Sequence, residues 1–454
     1  LRTNDRGVHW EAISPDLTRN DKSKQQWSGG PITGDITGVE VYDTIFSIAE
    51  SPAAAGEIWV GTDDGLVQLT RDGGKSWSNV TPPKLPEWGT VEAIEPAHRD
   101  AGTVYVAVDA RRLDDSRPYL FRSRDFGKHW EQLGSGLPPD QHLFVVREDP
   151  TDPNLLYVGS ERGVYFSRDG GANFRDLRNN LPAVNVADIE VKHDDLILGT
   201  RRGIWILDDI TALRAFTPEI KARPAHLFTP RAAYRFRLDA RWDQNHEGQQ
   251  ENAPQGMTIT YWLKEKPKGP PPGHKPVPED PNELQLEIFD GAGKLVRKLS
   301  SVAKPNRYPK DDPDEPKKEA EPGLTKEQGL NRAQWDLRYE GSKRLPQAKI
   351  DSGNPDDGPM ALPGKYTLKF TVDGQAYTSA AEILADPHSP VAPGELRQNF
   401  EFALQARASL DRLVDDIEEV RAIYAQTDDI KQRTAADPAA KELQAAAAAV
   451  LTRC

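Results

Sequence analysis

One cysteine, Cys454, stands in 454 residues, so no internal disulfide can brace the fold and stability must come from buried core. Without a second cysteine, and with no His-Glu-x-x-His among its nine histidines, the chain carries no zinc signature. It has no glycine loop of the phosphate-cradling kind and no nucleophile-elbow serine. No cofactor is therefore expected. The longest apolar run is the alanine-rich stretch Leu443–Leu451, far short of the ~20 residues that cross a bilayer. Positive charge is outweighed, with 58 Lys and Arg against 71 Asp and Glu and a net charge of −13. With no basic aromatic stripe either, this argues against a nucleic-acid partner. The length alone suggests about three domains.

What the sequence has is a repeat. Thr3-Asn-Asp5-Arg-Gly7-Val-His-Trp10, Thr70-Arg-Asp72-Gly-Gly74-Lys-Ser-Trp77, Ser123-Arg-Asp125-Phe-Gly127-Lys-His-Trp130 and Ser167-Arg-Asp169-Gly-Gly171-Ala-Asn-Phe174 share the form Ser/Thr-x-Asp-x-Gly-x-x-aromatic. The aspartates are 67, 53 and 44 residues apart in turn, and a four-stranded propeller blade takes ~40–50. The Asp can accept backbone N–H groups of its own turn, the Gly can take positive φ, and the aromatic can pack the hairpin on a neighbouring layer. A second element recurs as Gly61-Thr-Asp63-Asp64-Gly65, Gly159-Ser-Glu161-Arg162-Gly163 and Gly199-Thr-Arg201-Arg202-Gly203, each preceded by an apolar run such as Ile58-Trp-Val60. The unit is expected to run strand, tight turn, strand, boxed hairpin, strand. About four blades are expected between residues 41 and 215, with the end of an earlier blade at residues 1–12.

The boxed hairpin resembles the Asp-box (BNR) repeat of sialidases, two-propeller xyloglucan hydrolases and the sortilin-type receptor ectodomain. Ile58-Trp-Val-Gly-Thr-Asp-Asp-Gly65 and Ile204-Trp-Ile-Leu-Asp-Asp-Ile210 are more specifically similar to large bacterial sortilin-like/BNR-repeat proteins. The resemblance implies a mainly β fold with a partial propeller over 1–215, and an extracytoplasmic bacterial protein that is secreted, periplasmic or at the cell surface. It also implies that the box residues (Asp5, Gly7, Trp10; Asp72, Gly74, Trp77; Asp125, Gly127, Trp130; Asp169, Gly171, Phe174) hold shape at the rim. Four blades and a fragment do not close a ring of the boxed kind, and an open ring leaves an unpaired edge. The remaining blades are expected from an upstream propeller half or from another protein chain.

Residues 216–255 read as a connector. In 256–387, Leu284, Leu286 and Ile288 alternate with polar residues, as do Tyr366, Leu368, Phe370 and Val372, with turns at Asp290–Gly293 and Asp373-Gly374. This predicts a small antiparallel sandwich. Ile288-Phe-Asp-Gly-Ala-Gly293, Trp335-Asp336 and Leu362-Pro-Gly-Lys-Tyr366 resemble the flagellar-hook-cap type Ig-like domain, whose modules serve as spacers or docking domains. Two inserts, Lys264–Pro281 and Lys304–Pro322, are too rich in Pro and charge to build a core. From 392 to 454 the pattern turns helical. Ala403, Leu410, Ile417 and Tyr424 recur every seven residues, as do Ala406, Leu413 and Val420, and Asp437-Pro438 opens a second helix. The expectation is a helical hairpin, or a coiled coil with a partner over 396–424.

Chemistry has one serious candidate. Glycoside hydrolysis needs two carboxylates across a cleft. Asp63 and Glu161 hold equivalent turns of different blades, and the xyloglucan-hydrolase resemblance implies a catalytic Asp in a turn like Thr62-Asp-Asp-Gly65. A sialidase would need an arginine triad and a Tyr nucleophile, for which Arg201, Arg202 and Tyr42 match in type alone. The sortilin-type receptor carries a cysteine-rich module that one cysteine cannot supply. The partial propeller, spacer-like sandwich and helical seam favour binding and assembly over turnover.

Overall fold

A computed structural model of the chain describes residues 1–34, 41–236, 255–267, 283–303, 323–345, 348 and 354–453. The fold is mainly β with a helical C-terminal part. The chain divides into two compact units, Leu1–Ile210 and Thr211–Cys454.

The first unit is a series of small antiparallel sheets, here called blades. Blade one is β1 (Ile45–Glu50), β2 (Ile58–Thr62), β3 (Val67–Thr70) and β4 (Ser78–Asn79). Blade two is β5 (Thr90–Pro96), β6 (Val104–Ala110), β7 (Asp115–Ser123) and β8 (Glu131–Leu133). Blade three is β9 (Leu143–Glu148), β10 (Leu156–Ser160), β11 (Gly163–Ser167) and β12 (Phe174–Asp176). Blade four has three strands, β13 (Val186–Lys192), β14 (Asp195–Thr200) and β15 (Gly203–Leu207). Each strand pairs with its sequence neighbour, and the first strands touch in succession, β1 with β5, β5 with β9, β9 with β13.

Packing follows the two-residue period of a strand. In β6 every residue is buried. Val104, Val106 and Val108 join Trp59, Val67 and Leu69 of blade one, while Tyr105 and Ala107 join Leu143, Leu156 and Val158 of blade three. Each such side chain contributes ~1.5–3 kcal/mol on leaving water. The terminal blades are covered less fully, although Ile58 and Val60 of β2 are buried against Leu17. Phe46 and Ile48 of β1, and Ile204 and Ile206 of β15, remain exposed.

In the second unit two sheets enclose one core. One is β16 (Ala225–Leu227), β18 (Met257–Leu263) and β21 (Gly329–Trp335), in the order β16-β18-β21. The other adds β17 (Ala233–Arg235), β19 (Gln285–Phe289), β20 (Leu295–Ser300), β22 (Gly364–Val372) and β23 (Gln375–Ala385), in the order β17-β23-β22-β19-β20. Leu286, Ile288, Tyr366, Leu368, Phe370 and Val372 point into the core. Asp373 (φ 48°) and Gly374 (φ 73°) form the two-residue turn between β22 and β23. The stretch 216–255, expected to be a connector, supplies both β16 and β17. These strands are three residues each, too short to show an alternation in sequence. Most of both Pro-rich inserts and the run Asp243–Gln250 lie outside the described residues.

Two short helices, α1 (Thr211–Ala215) and α2 (Pro218–Ala222), precede β16. The C-terminal helix α3 (Pro393–Thr434) spans 42 residues, ~63 Å at 1.5 Å per residue. Its first turns lie against the sandwich: Phe400 meets Tyr339 with ring centres 5.1 Å apart, Arg407 donates to the Glu340 carbonyl (2.8 Å), and Lys343 pairs with Asp415 (2.6 Å). Asp437 caps the Ala439 N–H at 2.9 Å ahead of α4 (Lys441–Leu451), which packs on α3 through Ala447. At 11 residues α4 covers a fraction of α3. Leu410, Leu413, Val420 and Tyr424 of the seven-residue seam stay exposed. No helix among the described residues is long and apolar enough to cross a membrane.

Candidate functional site

The four boxes fold alike. Thr3, Thr70, Ser123 and Ser167 donate their hydroxyls to the box aspartates at 2.9, 2.9, 3.0 and 2.7 Å. The same hydroxyls accept the N–H of Gly7, Gly74, Gly127 and Gly171 at 2.8, 2.9, 2.8 and 2.8 Å. Each aspartate then accepts the N–H four residues on, from His9, Ser76, His129 and Asn173, at 2.8, 2.9, 2.9 and 2.8 Å. Hydrogen bonds to the charged form favour it, so the Ser76 hydroxyl and N–H hold Asp72 at about 2, and the His129 ring and N–H do the same for Asp125. Box aromatics lock blades together. The Trp77 indole donates to the Ile13 carbonyl at 2.9 Å, Trp130 to Val80 at 2.8 Å, and the Phe174 N–H to Ser135 at 2.8 Å. The Trp10 indole instead donates to Gly7 of its own hairpin at 3.0 Å.

The other end of each blade gathers ionisable groups. The register pairs Ile45 with Thr62, Thr90 with Asp109, Leu143 with Ser160 and Val186 with Thr200, so the turns between second and third strands lie beside the start of the first strands. Each first strand also skips one residue in its pairing, leaving Phe46, Glu92, Phe144 and Ala187 in a bulge. A bulge re-aims a side chain at an edge, and these four stand at the same step of successive inner edges.

Asp63 is buried, with its carboxylate accepting the Thr44 N–H at 2.7 Å. Asp64 accepts the Arg19 N–H at 2.6 Å and the Thr62 hydroxyl. Burial pushes both carboxyls up. The Arg19 guanidinium stands 4.9 Å from the Trp88 ring, which meets Tyr42 edge-on at 5.2 Å. Further charges stand on the neighbouring blades. Arg112 lies within its field, and Arg111 pairs with buried Asp109 at 2.9 Å. Burial first, then the repulsion of Asp109 close by, pushes Glu92 up to about 7. Arg111 reaches His142 Nε2 at 3.4 Å, and His142 Nδ1 lies 3.9 Å from Glu161. Burial lowers the His142 imidazole. Near Arg201 a cleft of about 320 Å³ is lined by Phe144, Asn185, Asp188, Thr200 and Ile204. Among the described residues no three His, Cys, Asp or Glu side chains are placed to hold a metal ion.

No protein-family model and no curated protein matches the chain. Among solved structures it is similar to YCF48 from Cyanidioschyzon merolae, at 17% identity over 36% of this chain and 53% of that one, with a TM-score of 0.28. It is similar to the GH74 xyloglucanase from Xanthomonas campestris at 16% identity over 74% of this chain and 45% of that one, TM-score 0.30. The GH74 enzyme of Niastella koreensis gives 12% identity, 75% and 45% coverage and a TM-score of 0.31. The matches span about half the length of those solved chains.

Asp63 has Arg112 in its field, while Glu161 lies beside His142, which Arg111 reaches from its pair with Asp109. Asp63 is committed to the Thr44 backbone, whereas Glu161 is partly open. Arg201 lies at the cleft of blade four, and Tyr42 lies near Asp63 and Arg112. Sequence reasoning missed Glu92, Asp109, Arg111 and His142. Asp109-Ala-Arg111-Arg112 interrupts the apolar run of β6, which was the available signal.

Proposed function

We propose that this chain belongs to an exported bacterial propeller protein of the Asp-box kind, working without catalysis in binding and assembly, with a protein, peptide or polysaccharide as ligand. One observation carries the reading. Both terminal blades keep exposed apolar side chains, Phe46 and Ile48 of β1 at one end and Ile204 and Ile206 of β15 at the other, while every residue of an interior strand such as β6 is buried. Exposed apolar side chains grouped on a strand in this way suit a site of association. The box aspartates are structural in this reading, since hydrogen bonds inside their own hairpins occupy them. The Ig-like sandwich and α3 act as spacer and docking elements. In a test, Ile48→Asp and Ile204→Asp leave the circular dichroism spectrum unchanged and abolish co-purification with a partner polypeptide. An isolated monomer whose β1 and β15 amides are all protected from hydrogen exchange contradicts the reading.

A second reading, glycoside hydrolysis, is favoured by the Glu92–Asp109 contact more than by Asp63 and Glu161. A carboxyl pushed up to about 7 beside a second carboxyl is the pair of groups that such hydrolysis uses. In that reading Glu92→Gln abolishes hydrolysis of a β-glucan. No activity of the wild-type chain across a broad glycan panel removes it.

A further inference from the structure

Where the turns between second and third strands gather, acids and bases are sorted by depth. Asp63 and Asp64 of blade one and Asp109 of blade two are buried. Arg111 and Arg112 of blade two, Arg162 of blade three, and Arg201 and Arg202 of blade four are exposed. The buried carboxylates already have partners, Asp63 in the Thr44 N–H (2.7 Å), Asp64 in the Arg19 N–H (2.6 Å) and Asp109 in Arg111 (2.9 Å). Arg162 is shared between Glu161 (3.8 Å) and Asp140 (3.9 Å). Among the described residues Arg201 and Arg202 have no acidic partner. A chain of net charge −13 thus turns guanidinium groups to water at this end of its blades. Guanidinium is the side-chain group best shaped to hold a carboxylate, through two parallel N–H donors.

Arg201 stands at the mouth of the cleft of about 320 Å³ shared by blades three and four, a size within the ~300–1,000 Å³ of small-ligand sites. One wall is Phe144, the half-buried bulge residue of β9. Its ring is held from two sides, with the Arg111 guanidinium 5.3 Å from its centre and His142 edge-on at 4.7 Å. Ala187 and Ile204 complete the apolar lining. The polar lining offers acceptors. The Asn185 Oδ1 is buried and has no hydrogen-bond partner among the described residues. Asp188, anchored by Arg147 at 3.2 Å, adds a carboxylate. A buried acceptor left unpaired costs ~1–3 kcal/mol, which a ligand donor offsets on binding.

The cleft therefore suits a ligand that donates hydrogen bonds toward Asn185, lays an apolar face on Phe144 and brings a carboxylate to Arg201. A uronic-acid ring joins all three in one unit: hydroxyl donors on its edge, C–H groups on its face and a carboxylate at its rim. The C–H face matches the negative face of an aromatic ring. Resting on the binding reading above, we propose that this cleft recognises the uronate rings of an acidic polysaccharide. Arg201 takes the carboxylate of the ring in the cleft, and Arg202 and Arg162, on the turns beside it, take those of neighbouring rings. The event is binding alone, with no bond formed or broken. An acidic peptide also brings carboxylates, but on side chains that have no ring to lay against Phe144.

Calorimetric titration of the full chain with an oligogalacturonate, its methyl ester and polyglutamate tests this. The oligogalacturonate binds, more weakly as salt rises, and the uncharged ester binds about 10-fold more weakly still. Arg201→Gln, at an exposed position, costs about 10-fold in affinity for the oligogalacturonate, and Arg201→Lys restores part of it. Phe144→Leu weakens binding while the hydrogen exchange of β9 stays as it was. Equal affinity for the ester overturns recognition of the carboxylate. Polyglutamate bound as tightly as the oligogalacturonate, with Phe144→Leu without effect, overturns the sugar ring as ligand. If none of the three binds while a partner polypeptide still co-purifies, this site falls and the assembly reading stands. If none binds and no polypeptide co-purifies, both fall.

Discussion

Adjacent glycines in one box separate backbone strain from the clamp between blades. Gly73 (φ 72°) and Gly74 (φ 97°) both hold positive φ. A Cβ on Gly73 has Arg2 Nη1 as its nearest neighbour, at 3.5 Å, the end of a flexible side chain. Arg6 and Phe126 fill the equivalent place in other boxes at φ 59° and 61°. Gly73→Ala should therefore cost only the left-handed backbone, ~1–2 kcal/mol. A Cβ on Gly74 meets the Ile13 carbonyl oxygen at 2.6 Å and Ile13 Cβ at 2.7 Å. Overpacking adds ~1–3 kcal/mol, and the Trp77–Ile13 hydrogen bond is pushed apart. The expected total for Gly74→Ala is ~2–5 kcal/mol, read from urea unfolding followed by tryptophan fluorescence and confirmed by a red shift of the native Trp77 emission. If the two variants differ by less than about 0.5 kcal/mol, ordinary scatter for a surface change, the box does not clamp residues 11–13 onto blade one.

Other consequences can be checked in the same protein. Arg147 bridges three blades, donating to Glu95 (3.0 Å), Asp188 (3.2 Å) and the Ile189 carbonyl (2.8 Å). Arg147→Ala removes the guanidinium from buried Glu95, leaving it the Glu148 N–H (3.1 Å), and should cost up to ~3 kcal/mol in the same unfolding assay, with Arg147→Lys losing less. Glu92 has a folded pKa of about 7 against 4.5 unfolded. Its contribution is therefore fully present below pH 4.5 and lost as pH rises through 7, up to ~3 kcal/mol by linkage, and Glu92→Gln should flatten that part of the stability–pH curve. The Glu148 carboxylate raises His98, with Glu95 acting the same way. The His98 contribution is present below about pH 6.5 and lost as pH rises through its higher folded pKa, so His98→Gln should remove a decline on the alkaline side of 6.5.

Much of the first unit was legible because its repeat is local. Ser/Thr, Asp and Gly of each box bond to one another within five residues, so spacing in sequence is spacing in space. The sandwich strands showed themselves wherever one face was less covered than the other, as in β19, where Leu286 and Ile288 are buried between half-buried neighbours. β6 gave no alternation because both its faces are covered, and β16 and β17 were hidden by their length. The seven-residue seam of α3 marked a helix correctly, but periodicity names a face without naming what covers it. Phe400 and Leu404 meet the sandwich while Leu413 and Val420 meet water.

The axial groups were hidden for a different reason. In Thr90-Val-Glu-Ala-Ile-Glu-Pro96 the two glutamates look equivalent, polar positions on a strand. The skipped pairing between Val91 and Ala93 removes Glu92 from the ladder and leaves it against Asp109, while Glu95 stays paired in the strand and meets Arg147 of blade three. A bulge is a relation between two strands and has no spelling in either one. The same step recurs at Phe46, Phe144 and Ala187, so the inner edge of each blade offers one re-aimed position whose chemistry varies freely while the fold does not. Under the proposed binding role, an acid in one blade and aromatics in two others would give that edge the chemistry to read a ligand. Swapping Glu92 to Phe and Phe144 to Glu should therefore change what is bound while leaving the blade repeat intact, and unfolding of either variant's blades as judged by hydrogen exchange would show that the bulge residues belong to the core instead.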